Sequence, residues 1–384
     1  MEIKKYINEL ENELIMIRRY LHSHAEVGFE LNNTCEFVKK KILEYGLTVK
    51  KCGRSGLVTN INLNHKKTLL LRAELDALPM NENTKLDYAS KHNMHACGHD
   101  LHTTFLLGLI KVLVKYKKHL KMNIVFMFQP AEELLKGAQD MIENGVLDNV
   151  NYALTVHVIT NSKYKTGTII LPPNGVVAPS SDFFKMIIKG KSCHGAMPNL
   201  GIDPIYISSL IIHSLSYIKE RKMTIFDNYI LTYGSINGGN SYNIIPSIVE
   251  IKGNFRTFSE NTRLLLKEEI SNLSKSVSKM YNASCKIIYD YSAPTLINDE
   301  NLYNQIIEIL DNAKIKYHLS ENDNTGSDDF SYISCQIPSY YFTISAGSNQ
   351  EGYTYPLHNE NVIFNENVIT KAIYVLAILC LNIK

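Results

Sequence analysis

Neither sign of charge dominates this chain: 40 lysines and arginines stand against 38 aspartates and glutamates in 384 residues, a formal net charge of +2. No basic run is interleaved with aromatics, so nucleic acid is a poor candidate partner and a small molecule a better one. Long apolar runs are missing too. The longest, 372–383, falls short of the roughly 20 residues that span a bilayer and fits a core helix closing the fold, so no membrane partner is expected. The opening Met-Glu-Ile-Lys-Lys-Tyr-Ile-Asn-Glu-Leu lacks the apolar core and cleavage site of a signal peptide and has amphipathic helical spacing. Seven cysteines at irregular spacings make no disulfide framework, which leaves a reducing cytoplasm as the expected compartment. No internal repeat or low-complexity tract is evident.

What is present is a globular composition, 45% hydrophobic and 20% charged, long enough for two or three domains. Helical apolar spacing over 2–21 and 34–45 precedes short apolar runs at 57–61, 68–71, 124–128 and 154–158. Helical stretches at 102–116 and 133–144 lie between them. Buried strands alternating with helices predict an α/β fold with a largely parallel sheet covered on both faces. Chemistry then collects beyond the carboxyl ends of the strands. A Pro/Gly/Ser-rich patch at 171–181 reads as a linker. After it come a strand at 183–189, a helix at 203–220, strands at 229–236 and 248–257, a helix at 260–281 and a strand near 285–291. That order is about that of a two-layer, ferredoxin-like α+β unit. The α/β pattern resumes after Ser292-Ala-Pro294, which predicts a catalytic domain in two parts, 1–179 and 292–384, interrupted by an inserted domain, 180–291.

The densest chemistry lies in Met94-His-Ala-Cys-Gly-His-Asp-Leu-His102. Cys97 and His99 flank one glycine, so the backbone can fold tightly and bring thiolate and imidazole to one ion or to a pair. His95 and His102 read as orienting or structural neighbours. The strand at 123–128 ends in Gln129-Pro-Ala-Glu-Glu133, where proline stops the ladder and two acids follow. One carboxylate can bind metal while its neighbour addresses an attacking water; acids favoured at a helix start are the competing reading. Asp76 sits near the end of another strand, where it could orient an imidazole or the water, or cap a turn. His157 interrupts a β-branched strand, and His358 lies on a loop far along the chain. Cys97, His99, Glu133, His157 and His358 together suit two divalent ions sharing the thiolate, zinc or manganese foremost and other divalent ions possible. Glu132 is then placed to take the proton of a metal-activated water and return it to a leaving amine, which is amide hydrolysis.

Motifs spread over nearly the whole chain carry a family resemblance. They are Arg18-Arg-Tyr-Leu-His22 with Glu26, Arg72-Ala-Glu-Leu-Asp76-Ala-Leu-Pro79, His95-Ala-Cys-Gly-His-Asp100 and Gln129-Pro-Ala-Glu-Glu133. Further on stand Cys193-His-Gly-Ala-Met-Pro198, Gly201-Ile-Asp-Pro204, Asn243-Ile-Ile-Pro246, Gly326-Ser-Asp-Asp-Phe330 and Pro356-Leu-His358. In this order they closely resemble the metal-dependent aminoacylases: hippurate hydrolase, indole-3-acetyl-amino-acid hydrolase and N-acetyldiaminopimelate deacetylase. The resemblance implies a catalytic domain of the zinc-aminopeptidase/carboxypeptidase-like type with an inserted lid through which subunits form a homodimer. It implies the same five metal ligands, Glu132 as general base and Asp76 as active-site acid. It also implies that His194, Asn243 and Arg256 face substrate, the guanidinium matching a carboxylate bidentately. Ala25 stands where the family has proline, Glu74 where aspartate is commoner, and Cys193 where a small residue precedes the motif's histidine.

An N-acyl-amino-acid amidohydrolase of the hippurate or N-acetyl-amino-acid type is therefore expected. N-acetyldiaminopimelate deacetylation is the specific alternative. A non-enzymatic, metal-containing binding protein is a second alternative, and a covalent Cys97 nucleophile a third, disfavoured by the carboxylate pair and spare histidines.

Overall fold

The computed structural model describes residues 2–320 and 326–384. The chain forms two compact units: one runs up to Val177 and resumes at Ile297, and the other comprises Ala178–Leu296 with Gly326 and Ser327.

The first unit is built on an eight-stranded mixed sheet. Four parallel strands form its centre, in the order Asn123–Gln129, Thr68–Glu74, Tyr152–Ile159 and Ser339–Ser345. Beyond Asn123–Gln129 lie Gly56–Ile61 and then Lys50–Cys52, each antiparallel to its inner neighbour. Beyond Ser339–Ser345 lie Ile169–Leu171, antiparallel, and Tyr317–Leu319. The central strands read as continuous apolar runs because both faces are covered; six of the seven residues of Thr68–Glu74 are buried. Helix His99–Tyr116 packs against Thr68–Glu74 and against helices Glu11–Ser23 and Val368–Asn382. It is buried on nearly every side, so its sequence lacks an amphipathic stripe.

Three local expectations are revised. The helical region 2–21 is two helices, Glu2–Glu9 and Glu11–Ser23, separated at Leu10, whose amide donates to Ile7 O three residues back. The predicted linker contains the strand Gly175–Ala178, which pairs with Leu296–Asn298. The helix expected over 133–144 spans only Gly137–Glu143, for reasons that belong to the site.

In the second unit, strands Ser181–Lys189, Tyr229–Asn237, Ile248–Thr257 and Ser284–Ala293 form an antiparallel sheet in which the second, third, first and fourth stand side by side. Helices Pro204–Arg221 and Glu260–Met280 cover it, enclosing a separate core around Phe184, Ile211, Val249 and Leu266. Order and pairing are those of a ferredoxin-like unit. Asp203 and Ser259 cap the two helices through their side chains. No helix among the described residues is long and apolar enough to cross a membrane.

Candidate metal centre

Three central strands of the first unit end together, and each end delivers part of the cluster. Just past Thr68–Glu74 stands Asp76, fully buried. Its carboxylate accepts the amides of Glu132 (3.0 Å) and Glu133 (3.2 Å), and its carbonyl oxygen accepts from His99 Nδ1 at 2.8 Å. One aspartate thus orders the segment carrying both glutamates and orients an imidazole.

This arrangement shortens the helix after Pro130. Ala131 and Leu135 both take left-handed backbone (φ 51°), each at a cost of roughly 1 kcal/mol. The amides of Glu132 and Glu133 are spent on Asp76 instead of a helical ladder. At Gly137 the backbone approaches so closely that a Cβ would lie 1.5 Å from Pro130 O, and the helix starts there.

Gly98, left-handed at φ 82°, caps helix His99–Tyr116, and a Cβ at that position would meet Val158 Cγ2 at 2.3 Å. The turn therefore presses Cys97 and His99 against the end of Tyr152–Ile159. Cys97 Sγ lies 3.5 Å from His157 Nε2 and 3.3 Å from His358 Nε2. His358, itself left-handed (φ 62°), has Nε2 3.5 Å from Glu133 Oε1, and His99 Nε2 is 3.8 Å from Glu132 Oε2. Among the described residues five groups could hold an ion, and two of them share the thiol: Cys97 with His99 and His157, and Cys97 with Glu133 and His358; His99 with Glu132 and Glu133, and Glu74 with His99 and His102, are two more.

The donor set fits divalent cations. His99 and His157 each commit Nδ1 to a backbone carbonyl, Asp76 O and Val158 O, which leaves both Nε2 atoms as lone-pair donors. His99 Nε2 and Glu133 Oε1 are buried and make no hydrogen bond. Burial lowers His157 to about 4 and holds His99 well below its ordinary value, so both rings are neutral donors. Burial, then neighbouring carboxylates, push Glu132 and Asp76 well above the usual carboxylate range and Glu133 to about 7. Burial and the two glutamates likewise push the Cys97 thiol up. Negative charge is thus concentrated beyond what the buried Arg72 offsets, and cations would relieve it.

Several residues of this neighbourhood had no role assigned from sequence. Arg72 Nε donates to Gln129 at 2.9 Å and Nη2 to Asp329 at 2.8 Å, while Nη1 reaches Asp328 at 3.2 Å and pairs with Glu74. Asp328 and Asp329 form a further carboxylate group with Glu132. Tyr341 lies beside His157, ring centroids 6.3 Å apart. Arg72 and the aspartates stood in quoted motifs, but nothing in the sequence paired them; Tyr341 carried no signal. His95 is buried with both ring nitrogens unbonded, and burial lowers it to about 4.

The other three expected residues belong to the second unit. His194 is exposed on Cys193–His194, a two-residue strand paired with Ile244–Ile245, and adjacent Asn243 accepts from the Gly195 amide at 2.7 Å. Arg256 is half-buried on Ile248–Thr257, and burial lowers its pKa.

Comparison with known proteins places these observations in a wider group. Residues 70–382 match the model of peptidase family M20/M25/M40. Thermostable carboxypeptidase 1 of Saccharolobus solfataricus is 33% identical over 96% of this chain and 94% of its own length. N-acetyl-L-cysteine deacetylase of Bacillus subtilis is 34% identical over 96% of this chain and 88% of its own. Among solved structures, a dinuclear metal-binding M20 peptidase from Bacillus subtilis superposes with a TM-score of 0.80 at 27% identity, covering 97% of this chain and 98% of that one.

Proposed function

The chain belongs to peptidase family M20/M25/M40 and is a hydrolase of amide bonds, and from that premise we propose that it cleaves N-acyl amino acids at a two-metal centre. The observation that carries this reading is the pair of triplets sharing Cys97. Cys97, His99 and His157 would hold one ion and Cys97, Glu133 and His358 the other; zinc suits the thiolate and imidazoles, and manganese the carboxylate and imidazoles. When bound, the ions supply Lewis-acid polarisation of the scissile carbonyl and acidify the attacking water.

The rest is done by the chain's own groups. Glu132, on the turn held by Asp76, takes the proton of the attacking water and returns it to the departing amine nitrogen. Asp76 keeps Glu132 and Glu133 in register through their amides. By the family resemblance, Arg256 binds the free carboxylate of the amino acid, His194 and Asn243 face substrate, and the second unit forms the homodimer contact. The name of the N-acetyl-L-cysteine deacetylase relative describes an enzyme of an N-acylated amino acid, which supports this substrate class.

The test is a panel of N-acetyl, N-benzoyl and N-succinyl amino acids, including N-acetyldiaminopimelate, given to the full chain loaded with zinc or manganese. Release of free amino acid from several members is expected. A metal-loaded chain inert on the whole panel would contradict the proposal, and turnover of the diaminopimelate derivative alone would select the narrower lysine-pathway activity.

A further inference from the structure

One buried histidine that is not among the proposed ligands spends both ring nitrogens on the frame of the centre. His102 stands one turn after His99 on helix His99–Tyr116, 2% exposed. Its Nε2 accepts the Val158 amide at 2.9 Å, and its Nδ1 lies 2.6 Å from Glu74 Oε2. Because Nε2 accepts, the ring proton resides on Nδ1 and is donated to Glu74.

Strand topology explains why Val158 depends on this ring. The pairing of Tyr152–Ile159 with Thr68–Glu74 ends at Thr155 opposite Arg72. Past that point the strand continues without that neighbour, and a buried amide left unpaired there would cost free energy. His102 takes the Val158 N–H, and the Val158 carbonyl takes the Nδ1–H of His157 at 2.8 Å. The two imidazoles are anchored on one residue, with ring centroids 4.5 Å apart. Glu74 is itself fixed: it pairs with Arg72, and its backbone carbonyl accepts from Thr103 Oγ1 at 2.6 Å.

We propose that His102, held by Glu74, is the positioning residue of His157. It pins the Val158 backbone so that His157 keeps its proton on Nδ1 and points Nε2 at Cys97. The inference rests on the ligand assignment above, which leaves His102 outside both triplets that share Cys97, while Glu74, His99 and His102 also stand close enough together to hold an ion. Glu74, one methylene longer than the residue commoner at its place in the family, spans from Arg72 to His102.

The experiment measures zinc affinity by chelator competition on the full chain, comparing His102→Phe, His102→Gln and His157→Ala, with thermal melts alongside. His102→Phe is expected to weaken one of the two ions about 10–100-fold and leave the other unchanged. His102→Gln, whose amide oxygen can accept from Val158, should keep most of that affinity, while His157→Ala should lose the ion. A folded His102→Phe chain binding both ions as tightly as the unaltered protein overturns the role, even with a lowered melting temperature. If His157→Ala loses an ion and His102→Phe does not, positioning fails while the proposed function stands. Unchanged zinc binding in His157→Ala overturns the ligand assignment itself. Should His102→Phe fail to fold, nitrogen-15 ring shifts of the unaltered metal-free chain decide. His102 and His157 are both expected as single tautomers protonated at Nδ1, and averaging at His157 refutes the proposal.

Discussion

Glu132 and Cys97 differ in what their removal should show. Glu132→Gln keeps size and hydrogen-bonding capacity but cannot accept the proton, so kcat should fall about 10²–10⁴-fold with KM and metal content nearly unchanged. Steady-state kinetics with metal analysis on the same sample checks this, and loss of an ion in the variant would recast Glu132 as a ligand. Cys97 and His99 stand close together in sequence, as do Glu132 and Glu133, which is why their chemistry could be read from short motifs at strand ends. Apart from the Arg72–Glu74 pair, the partnerships of Arg72 and His102 were not legible, because they depend on which strand outruns which and on side chains meeting across 28 residues or more of chain. The left-handed turn at Ala131 and Leu135 was hidden for another reason: neither residue advertises positive φ as a glycine would.

Among elements, the start of helix His99–Tyr116 is the joint on which the centre depends. Gly98→Ala would force a side chain into left-handed backbone and against Val158, so it should destabilise the protein by about 2 kcal/mol or more and reduce zinc stoichiometry. Thermal melting with metal analysis tests both effects. The same helix start is tied to helix Glu11–Ser23 by Asp100, fully buried, whose Oδ2 meets Arg18 Nε and His22 Nδ1, each at 2.8 Å. Burial alone would raise the Asp100 pKa, but Arg18 and His22 outweigh it and hold the carboxyl far below its ordinary value. A depressed folded pKa gives stability fully present above the unfolded value near 3.8 and lost as pH falls toward the folded one. The stability gap between the unaltered protein and Asp100→Asn should therefore hold constant from about pH 5.5 down to about pH 4 and narrow below it. Urea unfolding across that range is the check, and a gap that widens in acid would reverse the assignment. Sequence periodicity located three of the four central strands, whose apolar runs are buried on both faces, but did not single out Ser339–Ser345. It placed helix starts poorly wherever side chains, here Asp76, compete for the first amides.

At the scale of the whole molecule, two cores carry the chain, and all five proposed ligands lie in the first. Ions bound only to the folded centre stabilise it by mass action, about 4 kcal/mol when free metal exceeds the dissociation constant 1,000-fold. Chelation should accordingly raise amide hydrogen exchange around 69–75, 97–107, 129–133 and 154–158. The sheet of the second unit, with its own core, should keep its protection. A uniform rise across both units would argue against a metal centre confined to the first. The α/β and ferredoxin-like patterns were both legible because each is written in the alternation of strands and helices. The antiparallel edge strands of the large sheet were not, since short apolar runs do not state their direction.

The central claim, hydrolysis at a two-metal centre built around Cys97, is tested most directly by titrating metal into chelator-treated full-length protein while following release of free amino acid from an N-acetyl amino acid. Activity should be absent at the start, rise with added zinc or manganese, and saturate at two ions per chain. Turnover in the metal-free protein, or none after two ions are bound, would contradict it.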